Sequence, residues 1–221
     1  MTTSAQLVAF RDRLSTFEPT QFVVQRWLAF YAAGIALADN SAQEAIIRRL
    51  SDQQTNRSAL YEVVLQSYLF LGFPRMLTAA EILDSVFPGA GTGISQETEP
   101  CDEVNQWRAN GLALCRKVYG ESFEPLRIRV EAIAPEIFRW MILEGYGKVL
   151  SRPGLGLVER ELANVAMLVI DDREQQLYSH LRGAINVGAS PELLKTVVDD
   201  LQGISDGYET ARRLLERMKV L

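Results

Sequence analysis

Apolar residues recur three and four positions apart along almost the whole chain, and no segment sustains the period-two alternation of a half-buried strand. The spacing predicts helices over 20–39, 42–53, 57–72, 74–87, 103–119, 123–133, 135–150, 157–170, 173–187, 191–202 and 208–219. An all-α fold follows. The pattern is most regular towards the C-terminus, where Leu162, Val165, Ala166, Val169 and Ile170 repeat at helical spacing. Asp171 with Glu174 reads as a capping box that opens a second helix carrying Leu177, Leu181, Ala184 and Ile185. Gly188 suits the end of that helix, and Ser190, Pro191 and Glu192 supply an N-cap, a first-turn proline and a first-turn acid for the next. The two helices are expected to form an antiparallel hairpin. Glu161 lies about ten residues before its bend and His180 about nine after it, which places both roughly 13–15 Å from the turn at the α-helical rise. The pair stands abreast and can meet.

The pattern is interrupted at 88–100, a glycine- and polar-rich stretch that reads as a flexible linker spanning 88–104. It divides the chain into an N-terminal helical repeat, 1–87, and a C-terminal repeat, 105–221. Ser41 and Glu44 mirror Asp171 and Glu174, Leu60 with Val64 mirrors Leu193 with Val197, and Gly72-Phe73 mirrors Gly207-Tyr208. These pairs imply offsets between about 130 and 135 residues, with small insertions between them. Across most of that range the counterparts of Glu161 fall on 28–31 and those of His180 on 47–50, none of them acidic or histidine. The first half is expected to keep the scaffold without the site.

The residues around His180, the only histidine of the chain, also carry a resemblance. Glu161 is followed after eleven residues by two positions separated by two residues, Arg173 and Gln176, then by three more residues and by His180 with its HLRGAINVGASPE continuation. Together with the stretch from Tyr146 to Leu155, this resembles the core motif of the carboxymuconolactone decarboxylase and alkylhydroperoxidase D (AhpD-like) superfamily. The resemblance implies an AhpD-like helical fold built here from two diverged repeats. In the peroxidase branch the two intermediate positions are cysteines, whereas this chain has Arg173 and Gln176. Residues 69–80, LFLGFPRMLTAA, resemble the ending that follows the histidine helix in single-repeat members, which leaves two readings: Gly72-Phe73-Pro74 is a tight helix–helix corner with Phe73 in the core, or Phe73, Pro74 and Arg75 of the first half close a composite pocket over Glu161 and His180. Single-repeat relatives assemble as trimers or hexamers, which implies a homodimer or homotrimer here.

Composition narrows the function classes. With 48% hydrophobic residues the chain can bury a substantial core. A formal net charge of −5 argues against nucleic acid as a partner. The N-terminus lacks a continuous apolar segment and no window reads as a membrane span, so the expectation is a soluble cytoplasmic protein with no membrane partner. Cys101 and Cys115, the only thiols, are spaced neither as a redox pair nor as a zinc site. No metal and no cofactor are expected.

A buried carboxylate beside an imidazole can exchange a proton with it near neutral pH, which suits general acid–base catalysis by Glu161 and His180. Arginine is the natural clamp for a substrate carboxylate, so Arg173 and Arg182, with Tyr146 and Gln176, are the expected substrate contacts; Trp140 and Tyr178 are further candidates for an apolar lining. The leading expectation is a cofactor-free, decarboxylase-like lyase acting on a small carboxylated molecule. Two alternatives stand beside it: an oligomeric binding or scaffold protein that has lost turnover, and a peroxidase-related protein, which needs a resolving thiol that Arg173 and Gln176 do not provide.

Overall fold

The structure, a computed structural model, describes residues 2–89 and 101–219, with nothing stated of the side chains of residues 101 and 102. Its helices are α1 (Ser4–Ser15), α2 (Val23–Leu37), α3 (Asn40–Asp52), α4 (Arg57–Leu71), α5 (Phe73–Val86), α6 (Cys101–Tyr119), α7 (Phe123–Ile133), α8 (Pro135–Trp140), α9 (Leu157–Ile170), α10 (Glu174–Val187), α11 (Pro191–Asp199) and α12 (Gly207–Arg217). A 3₁₀ turn spans Gly120–Ser122, a π-helical segment spans Met141–Leu150, and the described residues contain no strand. The fold is all-α, as the periodicity predicts.

Several boundaries fall where the local chemistry puts them, and α7 and α9 have the predicted limits. Ser190 caps α11 by accepting from the Leu193 amide, and Gly188 ends α10 at φ 111°. The two expected capping boxes are not formed. Asp171 is the C-cap of α9 and accepts from Arg173 Nε, while α3 is capped by Asp39 rather than Ser41. In both connections a residue in the left-handed conformation, Ala38 or Asp172, turns the chain, so the cap is set by the bend rather than by spacing alone. Helix α1 adds to the helices expected from the spacing, and its local signal is a reciprocal capping box between Thr3 and Gln6. The predicted helix 135–150 changes register after Trp140 and continues as the π-helical segment.

Contacts divide the chain into two units: Met1–Gly89 with Gly154–Leu221, and Ala90–Pro153. This differs from the expected division into 1–87, 88–104 and 105–221. The first unit is organised on α2 and α9, which make its most extensive helix pairing. Every residue from Trp27 to Leu37 and from Arg160 to Ile170 is buried, so both helices are enclosed on all faces and share one core. Either half alone would leave one side of such a helix uncovered. Residues 90–100, the core of the expected linker, lie outside the described residues.

Helices α2 to α5 begin at 23, 40, 57 and 73, and α9 to α12 begin at 157, 174, 191 and 207, a constant displacement of 134 residues. The left-handed residues keep the same displacement, Ala38 with Asp172 and Gln54 with Gly188. Gln25 Nε2 donates to Oε1 of Glu159, which stands 134 residues further on, at 3.0 Å. A single displacement without insertions revises the expected correspondence: Trp27 and Ile46 stand where the second half has Glu161 and His180, and both are fully buried.

In the second unit α6 lies against the π-helical segment at backbone distance. A Cβ on Gly111 would fall 2.0 Å from the Ile142 carbonyl oxygen, and one on Gly147 would fall 2.1 Å from that of Trp107. Only glycine permits this approach. Cys115 is buried on α6, and the side chain of Cys101 lies outside the described residues.

Candidate active site

Glu161 sits in the second turn of α9 and His180 midway along α10, and the hairpin brings them together. His180 Nδ1 lies 2.8 Å from Glu161 Oε2, with the residues 6% and 3% exposed. On α10 the buried face runs through Leu177, His180, Leu181 and Ala184, so the ring is fixed by the same stripe that docks the helix. Phe70, at the end of α4, meets the imidazole edge-on with centroids 5.2 Å apart. Nδ1 is thus engaged by Glu161, and Nε2 has no hydrogen-bond partner among the described residues.

Behind Glu161 runs a buried polar chain that joins α9 to α4. Asn164 Nδ2 donates to Glu161 Oε1 at 3.4 Å, and Gln66 Nε2 donates to Asn164 Oδ1 at 3.0 Å. Gln66 Nε2 also donates to the Arg160 carbonyl at 3.1 Å, while Arg160 Nη1 donates to Gln66 Oε1 at 3.1 Å. The Arg160 guanidinium forms an ion pair with Glu62 at 2.9 Å. These groups are at most 3% exposed, and their mutual bonds offset the cost of removing them from water. The sequence reading missed Glu62, Gln66, Arg160, Asn164 and Phe70. A signal existed: Glu62 with Gln66, and Arg160 with Asn164, are polar pairs four residues apart within apolar runs.

The other expected residues are placed differently. Gln176 lies one turn before His180 on α10, Arg173 is the N-cap residue just before that helix, and both are exposed. Arg173 is tied to Asp171, whose carboxylate holds its guanidinium above the ordinary arginine value. Arg182 projects from the opposite side of α10, donates to Tyr178 Oη at 3.4 Å, and lines an open surface cavity of about 320 Å³ with Tyr178, Ile185, Asn186, Arg217 and Met218. Phe73 is 58% exposed and stacks on Tyr68, and Arg75 donates to the Ala36 carbonyl at the end of α2. From α4 it is the Phe70 ring that meets His180. Tyr146 belongs to the second unit, where it is buried against Tyr119, and Trp140 is exposed. Among the described residues no three His, Cys, Asp or Glu side chains gather as a metal site, and no helix is long and apolar enough to cross a membrane.

Residues 135–216 match the model of the Carboxymuconolactone decarboxylase family. A search of the curated proteins finds no match.

Proposed function

We propose, from the match of residues 135–216 to the carboxymuconolactone decarboxylase family model, a cofactor-free acid–base enzyme of the AhpD-like superfamily that acts on a small carboxylated substrate. The observation that carries this reading is the buried Glu161–His180 pair, bonded through Nδ1 at 2.8 Å with Nε2 left for a reactant. In a decarboxylation the C–C bond to the carboxylate breaks, carbon dioxide leaves, and its electron pair stays on the substrate, where a conjugated carbonyl holds it as an enolate. His180 first takes a proton from solvent at Nε2, Glu161 stabilises the resulting imidazolium, and the ring then delivers that proton to carbon and returns to its neutral form. Arg173, at the N-cap of α10, and Gln176, one turn before His180, are the contacts proposed for a remaining carboxylate.

The constant displacement of 134 residues supports reading the first unit as two diverged copies of one four-helix repeat, of which only the second keeps the pair. Assembly into a homodimer or homotrimer belongs to the same proposal; sizing by light scattering tests it, and a monomer overturns it.

The test of function is His180→Gln, which preserves size and supplies no proton at neutral pH. A screen of small unsaturated lactone and keto acids, read by substrate loss and thermal shift in parallel, is expected to show a loss of about two to four orders of magnitude in turnover with ligand binding largely retained. Turnover that survives the substitution removes His180 from the mechanism. A ligand that stabilises both proteins and is turned over by neither favours a binding protein.

A further inference from the structure

We infer that Gln66 and Arg160 are positioning residues that fix which nitrogen of His180 carries its proton, acting through an oriented chain of hydrogen bonds from the first half of the molecule. The orientation begins at Arg160, whose guanidinium can only donate. It donates to Gln66 Oε1, and Gln66 Nε2 faces two acceptors, the Arg160 carbonyl and Asn164 Oδ1. Flipping the Gln66 amide would set oxygen against both acceptors and an NH₂ group against the guanidinium, so one orientation is fixed. Asn164 therefore accepts at Oδ1 and presents Nδ2 to Glu161 Oε1. Both carboxyl oxygens of Glu161 then face donors, Oε1 the Asn164 amide and Oε2 the imidazole. The proton between Glu161 and the ring then sits on Nδ1, and the Nε2 lone pair faces away from Glu161.

The other half of the chain provides the contrast. Arg26, Trp27, Phe30 and Ile46 stand 134 residues before Arg160, Glu161, Asn164 and His180, and Asp200 stands 134 after Gln66. Arg26 donates to both oxygens of Asp200, at 2.8 and 2.7 Å. A carboxylate has no hydrogen to pass on, so the chain closes there, and the positions beyond it are apolar. An amide at Gln66 transmits the orientation, whereas a carboxylate ends it. The scaffold half thus contributes to the site without holding a catalytic residue. This deepens the acid–base reading of His180, on which only its consequence for rate depends; the tautomer is measured without substrate.

Because His180 is the only histidine, the ring ¹⁵N signals of the labelled protein are unambiguous. At a pH where the imidazole is neutral, wild type is expected to show a protonated Nδ1 and an unprotonated Nε2, the reverse of the form a free imidazole side chain prefers in water. Gln66→Glu, which gives this half the acid found in the other, and Asn164→Leu, which removes the donor to Glu161, are each expected to raise the Nε2-protonated fraction about five- to tenfold, the worth of one hydrogen bond. Urea unfolding checks that each variant is folded. An Nε2-protonated ring in wild type overturns the inference on its own, as does a ring unchanged in both folded variants. Either result leaves the turnover test of His180→Gln to decide the acid–base reading separately.

Discussion

Replacing Arg26 by methionine tests how strongly the two halves of the first unit are held by a buried ion pair. Arg26 on α2 and Asp200 at the end of α11 are 17% and 5% exposed in their side chains and share two short hydrogen bonds. Burial pushes the Asp200 carboxyl above the ordinary carboxylate value despite the lowering by Arg26. Removing Arg26 leaves Arg13, 3.9 Å away and 40% exposed, as the remaining cation. Deleting one member of a buried pair costs about 3–5 kcal/mol, and the partial compensation by Arg13 puts the expected loss near the lower end at pH 7. Asp200→Asn should cost less, about 1–2 kcal/mol, because Arg26 is better hydrated and the amide oxygen still accepts one bond.

The pH dependence has a definite sign. A folded value above the unfolded one means that the native state binds more protons in the window between them, so stability falls as pH rises through that window. Loss of Arg26 raises the folded value further. The penalty of Arg26→Met should therefore be smallest near and below the unfolded value of 3.8 and grow as pH rises through the folded one. Urea unfolding of wild type and variant from acid to neutral pH, with midpoints and slopes fitted together, measures it. A penalty that is flat with pH, larger in acid, or below about 1 kcal/mol at pH 7 would refute the reasoning.

Tyr31 is fully buried and its hydroxyl has no hydrogen-bond partner among the described residues, so Tyr31→Phe should stabilise by about 1 kcal/mol and raise Tm by roughly 2–4 °C in calorimetry. A loss of stability would mean that the hydroxyl is hydrogen-bonded in solution. Gly207→Ala sets a Cβ 2.0 Å from the Val169 carbonyl oxygen and should cost about 1–3 kcal/mol or more, whereas Gly145→Ala meets nothing within 4 Å and should be neutral or slightly stabilising; paired denaturation curves separate them. Asp39 caps α3 and accepts twice from Arg11, and these bonds hold its carboxyl below the ordinary value. Its stabilisation should be present above about pH 4 and fade as pH falls through the lowered folded value. Asp39→Asn is accordingly expected to cost about 1 kcal/mol at pH 7 and progressively less as pH falls through the lowered folded value, read from unfolding midpoints.

Periodicity and turn chemistry act within a few residues, so they were legible without the fold. They are why α7 and α9 have the predicted limits, why Ser190 caps α11, and why Glu161 and His180 could be expected to stand abreast across a short hairpin. The Thr3–Gln6 box that opens α1 is equally local. What the sequence leaves open is pairing at long range. Gln66 and Asn164 are 98 residues apart, and nothing in either helix alone says that their amides meet. The same holds for the single core formed by α2 and α9, where each apolar helix is covered about as much by the other half of the chain as by its own. Arg182 shows the converse: its place two residues after His180 suggested a shared site, yet two helical positions rotate a side chain by roughly 200°, onto the opposite face. Local spacing fixes which residues share a helix face, and only the packing of whole helices decides which faces become a buried site, because desolvation and hydrogen-bond satisfaction are properties of all the neighbours at once.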